Sequence, residues 1–210
     1  MRRMKLMSNF ERGRLVVVSG PSGVGKGTVL EYVLKRDDFV YSVSATTRSP
    51  RETDIDGVTY FFKTKAEFED MIKNGELIEY AEYNGNYYGT PKFFVDKMLS
   101  EGKNVILEIE VKGAMQIKKL IPDATFIFIA PESKEILEKR LRGRGTEEDD
   151  VIANRLAIAE NEVKCSLLYD YLVINRQNMA ESCAEDIAAI VRAENFKPLD
   201  MFDVVSDFFE

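Results

Sequence analysis

Leu15-Val16-Val17-Val18 is apolar at every position, and Ser19 closes the run. A short stretch without polar alternation is what a strand buried on both faces of a parallel sheet shows. Val105–Glu110, Phe126–Ala130 and Tyr171–Ile174 also read as buried strands. Between them the apolar residues recur at helical spacing. A helix is predicted from about Lys26 to Lys35, with Val29, Val33 and Leu34 on one side. Further helices are predicted over roughly 113–120, 132–142, 150–168 and 179–193. In the fourth of these five, Ile152, Leu156, Ala159, Val163 and Leu167 form a core-facing stripe. Strands alternating with helices predict an α/β fold, a parallel β-sheet flanked by helices.

The middle third breaks this rhythm. Gly57–Phe62 and Leu77–Tyr88 are aromatic-rich and strand-like, and Asn84-Gly85 marks a tight hairpin turn. Residues 43–92 therefore read as a small, mostly β insert in the α/β core. A second irregular patch, Arg142-Gly143-Arg144-Gly145-Thr146, interrupts two helices. Thr146, with Asp149 three residues on, is placed to cap the helix that follows.

Composition narrows the chemistry. The 210 residues are 45% hydrophobic and 31% charged, as in an ordinary soluble globular domain. The net charge of −7 gives no bulk attraction to nucleic acid or to membrane, so any anion must be held by local clusters of Lys and Arg. There is no histidine, which removes histidine triads, histidine-ligated zinc and imidazole acid–base catalysis. Cys165 and Cys183 are too far apart for a metal knuckle and read as reduced, buried thiols. The segment Met1–Arg14 is basic without the apolar run of a signal peptide, and the apolar stretch Ala124–Ala130 is too short to span a bilayer. The expectation is a soluble, cytoplasmic protein with no nucleic-acid or membrane partner.

Gly20-Pro21-Ser22-Gly23-Val24-Gly25-Lys26 follows the first strand and opens the first helix. That is the context a phosphate loop requires. Its glycines let backbone N–H groups point inward at phosphate, the helix N-terminus adds partial positive charge, and Lys26 is placed to reach the terminal phosphates. Gly27 stands where a hydroxyl normally ligates Mg²⁺, and Thr28 comes one position later. Mg²⁺ is therefore expected to arrive with ATP, held by phosphate oxygens, water and a remote carboxylate rather than by a dedicated protein metal site. Arg48 and Arg51, three residues apart, are of the type that clamps a second phosphate, and Arg140, Arg144 and Arg155 bracket the glycine-broken segment.

Taken together, Gly20–Thr28, Ser44–Arg51, Asp56–Phe62, Glu79 with Asn86–Thr90, Glu108–Gly113, Arg140–Thr146 and Asp170–Asn175 resemble the guanylate kinases of the nucleoside-monophosphate kinase group. The resemblance runs over about residues 12–193. It implies a P-loop kinase core over 12–42 and 93–196, a GMP-binding insert over 43–92, a mobile lid over 140–155 and a C-terminal tail over 197–210. It implies ATP and GMP as substrates, with Lys26, Arg140, Arg144 and Arg155 neutralising the transferred phosphoryl group. Gly20 through Thr28 would hold the ATP phosphates, and Asn175 would lie near the adenine. Arg48, Arg51, Tyr60 and Tyr88 would hold the GMP phosphate, and Ser44, Glu79, Thr90 and Glu110 would surround the guanine. The chemistry agrees. A carboxylate such as Glu79 accepts from both the N1–H and the amino group of guanine, whereas adenine would set its N1 acceptor against it. The acceptor oxygen is already ionised, so a chain without a histidine base suffices. Lys112 and Arg176 depart from the family pattern, where Gln and Asp are usual. A non-catalytic scaffold module and a kinase for another monophosphate are the competing readings. The intact phosphate loop argues against the first, and Glu79 with the segment Ser44–Arg51 argues against the second. Met201, Val204, Val205 and Phe208 have helical spacing, which allows the tail to dock on the core or on a second copy in a homodimer.

Overall fold

The structure, a computed structural model, describes residues 12–143 and 149–197. Its core is a five-stranded parallel sheet in the order β2-β7-β1-β8-β9, formed by β1 (Leu15–Ser19), β2 (Phe39–Tyr41), β7 (Asn104–Glu108), β8 (Thr125–Pro131) and β9 (Tyr171–Asn175). β1 lies between β7 and β8, with Val17 opposite Leu107 on one side and Phe126 on the other. Successive side chains of a strand point to opposite faces, and the apolar residues sort accordingly. Val16 and Val18 of β1, with Ile127 and Ile129 of β8, join one cluster with α1 (Lys26–Val33) and α7 (Ala180–Glu194). Leu15, Val17, Phe126 and Phe128 join the opposite cluster, covered by α3 (Lys92–Ser100) and α4 (Val111–Leu120).

The second sheet has the order β4-β3-β6-β5 and is built from β3 (Ala45–Thr46), β4 (Phe61–Phe62), β5 (Leu77–Tyr83) and β6 (Asn86–Pro91). β5 and β6 form the expected hairpin, and both Asn84 (φ 49°) and Gly85 (φ 73°) adopt the left-handed backbone that such a two-residue turn requires. Leu77 pairs with Pro91 but Tyr80 pairs with Gly89, so Ile78 and Glu79 together oppose Thr90 in a β-bulge. The sheet packs on α2 (Lys65–Lys73), where Phe68 and Met71 join Ala45 and Leu77, and Phe68 stacks on Tyr87 at 5.3 Å. The chain enters α2 through a capping box: Thr64 Oγ1 accepts from the Glu67 N–H, and Glu67 Oε2 accepts from the Thr64 N–H.

Several sequence expectations change in the structure. The short edge strand β2 and the helices α2 and α3 were not predicted; each is brief and buries only one or two side chains. The strand expected over 105–110 stops at Glu108, because Glu110 turns the chain into α4. Of the aromatic run 57–62, only Phe61 and Phe62 form a strand; Asp56 to Tyr60 make a turn closed by the bond from Gly57 N–H to Tyr60 O. α5 (Lys134–Arg142) is capped by Ser133, whose Oγ accepts from the Ile136 N–H. The long helix is α6 (Asp149–Cys165), and it tightens into a 3₁₀ turn over Ser166–Leu168. That change of pitch swings Leu167 out to 89% exposure, so it leaves the expected stripe. Ile152, Leu156 and Ala159 pack with Leu137 and Leu141 of α5, and Val163 reaches the main core instead. Cys183 is buried, whereas Cys165 is only half-buried; both thiols are free. Arg144 and the Thr146 cap, and the tail residues Met201, Val204, Val205 and Phe208, lie outside the described residues. Among the described residues no helix is long and apolar enough to cross a membrane.

Phe68 is the largest fully buried side chain of the insert. Phe68→Ala should cost about 3–5 kcal/mol, the usual range for emptying such a site. Guanidinium unfolding followed by circular dichroism checks it. A loss below about 1 kcal/mol would mean that the insert does not rely on this core.

Candidate active site

The site gathers at the carboxyl ends of the parallel strands, the place where open α/β sheets take ligands. β1 ends at Ser19, whose Oγ donates to Ile109 O at 2.8 Å and ties the start of the loop to the segment after β7. A Cβ on Gly20 would lie 2.3 Å from Ile129 O, so only glycine passes this close to β8. Pro21 and Val24 are buried, Gly23, Gly25 and Lys26 are half-buried, and Ser22, Gly27 and Thr28 are exposed. Gly25, at φ 91°, turns the loop into α1. Lys26 Nζ donates to Gly20 O at 2.6 Å, spanning the loop. Burial lowers the Lys26 pKa, opposed by the carboxylates of Glu108, Glu162 and Glu110. A Cβ on Gly27 would meet nothing within 4 Å, so packing does not exclude a side chain there.

Two side chains from elsewhere grip the loop. Asn175 Nδ2, at the end of β9, donates to Val24 O at 2.8 Å. Arg140, on α5, donates to Val24 O and to Asn175 O, both at 2.9 Å. A cavity of about 340 Å³ opens alongside, lined by Val24, Gly25, Thr28, Arg140, Asn175 and Arg176 among others. Among the described residues the buried Asn175 Oδ1 has no hydrogen-bond partner, which leaves an acceptor at the border of this cavity. Arg155 is half-buried on α6.

The insert supplies a second cluster. Thr46 ends β3, and Arg48 follows two residues later, with its guanidinium over the rings of Tyr60 (5.2 Å) and Phe62 (5.8 Å). Tyr60 meets Tyr88 edge-on at 6.1 Å. Arg48 Nη2 donates to Asp54 Oδ2 at 2.9 Å, and the exposed Arg51 sends its backbone N–H to the same oxygen at 2.7 Å. On the bulge, Glu79 Oε1 accepts from Thr90 Oγ1 at 2.7 Å. Burial pushes the Glu79 carboxyl above its usual range, opposed by the hydrogen bonds from Thr90. Ser44 is half-buried one residue before β3, and Glu110 is exposed at the entry to α4.

The structure thus brings Lys26 and Glu110 together with the loop, Arg48 with Tyr60 and Tyr88, and Glu79 with Thr90. Sequence reading passed over Asp54, Glu108 and Glu162. Asp54 had a legible signal, an acidic side chain three residues beyond Arg51. Glu108 had one too, as the last residue of a parallel strand. Glu162 had none, because it reaches the loop only through the packing of α6. Tyr41, whose hydroxyl donates to Glu108 Oε2 at 3.1 Å, was also unmarked.

A parallel sheet with a glycine loop and lysine at its central strand, together with a cationic aromatic cluster beside a second sheet, defines a phosphate-loop kinase. The sequence matches the family profile described as Guanylate kinase over residues 12–194. It is 55% identical over 186 residues to the guanylate kinase of Bacillus anthracis, covering 88% of this chain and 90% of that one. It is 51% identical over 189 residues to the guanylate kinase of Bacillus subtilis (strain 168), covering 89% and 92%. The crystal structure of guanylate kinase from Anaplasma phagocytophilum superposes with a TM-score of 0.66 at 33% identity, covering 89% of this chain and 88% of that one. The chain belongs to the guanylate kinase family.

Glu79 has a folded pKa above its unfolded value. Its charge therefore costs stability above the unfolded pKa, and the cost disappears as pH falls through the folded value. Glu79→Gln removes the charge and keeps a carbonyl to accept from Thr90. Its melting temperature at pH 7–8 should exceed that of the parent, and the gap should close below about pH 4. Equal melting temperatures at pH 7.5 would contradict the burial cost.

Proposed function

We propose that the chain transfers the terminal phosphoryl group of ATP directly and in line to GMP, and to dGMP, and that it serves purine nucleotide metabolism in the cytoplasm. Family membership supplies the reaction, ATP-dependent phosphorylation of GMP to GDP. The observation that carries the finer reading is the half-buried Glu79 bonded to the buried Thr90, in the sheet whose strand β3 leads to Arg48. A guanine edge offers two donors to that carboxylate, while Arg48, Arg51, Tyr60 and Tyr88 take the phosphate. No residue assigned to the acceptor reads the sugar, which is why dGMP is included. The loop N–H groups and Lys26 hold the ATP phosphates. Asn175 Oδ1 suits the 6-amino donor of adenine. Arg140, Arg144 and Arg155 would add positive charge where it develops during transfer.

The donor set fits Mg²⁺, which takes oxygen ligands and keeps several waters. Glu108 and Glu162 lie near enough to Lys26 to oppose the lowering of its pKa, and they would hold the ion beside the phosphates. When bound, Mg²⁺ neutralises charge on the phosphate oxygens.

A coupled assay offering GMP, dGMP, AMP, CMP and UMP with ATP tests the acceptor reading. Activity should be confined to GMP and dGMP. Glu79→Gln should lower kcat/KM for GMP by about 10²-fold or more, since the amide sets a donor against a donor, and leave the KM for ATP unchanged. An equal rise in both KM values would remove Glu79 from the base pocket.

The nucleophile is the GMP phosphate, whose second pKa is about 6. With no histidine to titrate in that window, kcat/KM for GMP should fall below about pH 6 and stay nearly flat from about pH 7 to 8.5. Replacing GMP by its phosphorothioate, which ionises at lower pH, should move the acid limb down with the same enzyme. A fixed limb would mean that a protein group titrates.

A further inference from the structure

We infer that Asp54 is a positioning residue for the acceptor phosphate, setting the spacing and direction of Arg48 and Arg51 before the substrate arrives. The inference rests on the reading that these two arginines hold that phosphate. A single atom makes both connections: Asp54 Oδ2 accepts from Arg48 Nη2 at 2.9 Å and from the Arg51 N–H at 2.7 Å. The first bond fixes a guanidinium, and the second fixes the backbone from which the other guanidinium extends. The backbone of Asp54 closes the same turn, its N–H donating to Arg51 O at 3.0 Å.

The site is built for this role. The side chains of Arg48 and Asp54 are only 17% and 10% exposed. Arg48 Nη1 donates to Ser49 O at 2.9 Å, and the Arg48 N–H donates to Thr46 Oγ1 at 3.2 Å. With the rings of Tyr60 and Phe62 nearby, the guanidinium is held from several directions. An arginine has five N–H donors, and two are used here. Three remain for a phosphate. The bonds from the Arg51 N–H and from Arg48 hold the Asp54 carboxyl below its usual range, so it stays ionised wherever the enzyme works.

The sign of the effect separates positioning from plain electrostatics. A carboxylate beside an anion site repels the anion, so charge alone predicts that removing Asp54 tightens phosphate binding. If Asp54 orders the clamp, removing it costs more in lost preorganisation than the relieved repulsion returns.

Isothermal calorimetry of GMP and of guanosine tests this on the full chain. Guanosine keeps the base and lacks the phosphate, so its affinity also reports that the insert is folded. Asp54→Ala should raise the Kd for GMP about tenfold or more and leave guanosine unchanged. Asp54→Asn, which still accepts but without charge, should raise it about threefold. Asp54→Glu should recover most of the loss. Tighter or unchanged GMP binding in Asp54→Ala overturns the proposal. So does an equal loss for guanosine, which would mark a structural role. Arg48→Ala is the control: if it lowers GMP affinity while Asp54→Ala does not, only the positioning role falls. If Arg48→Ala also leaves GMP affinity unchanged, the phosphate-clamp reading itself fails.

Discussion

The chain leaves β1 with its backbone pressed against β8, so that a methyl group on Gly20 would stand 2.3 Å from Ile129 O. This close approach sets the geometry of the loop that follows. Buried Val24 anchors it from below, and its carbonyl accepts from both Asn175 and Arg140. Lys26 spans it from the other end by donating to Gly20 O. The loop is therefore held by groups from β9, α5 and α1. Preorganised donors of this kind are what phosphoryl transfer depends on, because the reaction asks for positioning and charge neutralisation more than for covalent chemistry.

The second sheet solves a different problem, half-burying a carboxylate while keeping a strand in the core. A regular pairing of β5 with β6 would place successive side chains strictly on alternate faces. The bulge opposite Thr90 relaxes that rule. It sends Ile78 into the main core and leaves Glu79 beside Thr90. The backbone is close here as well, with a Cβ on Gly89 falling 2.8 Å from Glu79 O. Glu79 carries the burial cost of this placement.

Charge is distributed so that each cation has a role before ligand arrives. Lys26 is surrounded by Glu108, Glu110 and Glu162, and Arg48 is paired with Asp54. In a chain with net charge −7, such pairing balances these cations with carboxylates instead of leaving an open basic patch. A chain without histidine also fits a reaction without a protein base, since the substrate supplies the ionised oxygen.

β1, β7 and β8 were legible in the sequence because strands covered on both faces must be apolar throughout, whereas β9, also read as buried, lies at the sheet edge and leaves Leu172 and Ile174 exposed. The loop itself was legible because glycine, lysine and their spacing are demanded by phosphate. Asn84-Gly85 announced its hairpin for a similar local reason, both residues tolerating positive φ. The helices α2 and α3 and the edge strand β2 were not legible, since each buries only one or two residues and leaves little periodicity. The exposure of Leu167 was hidden by a change from α to 3₁₀ pitch that no apolar pattern records. The sequence by itself determined the class of sheet, the phosphate loop and the residue types suited to the two substrates. Only the tertiary structure decided that a bulge pairs Glu79 with Thr90, that Arg140 and Asn175 share one carbonyl, and that one oxygen of Asp54 holds both arginines. These are contacts between residues brought together by register, turn closure and helix packing, and the linear spacing of side chains carries no record of them.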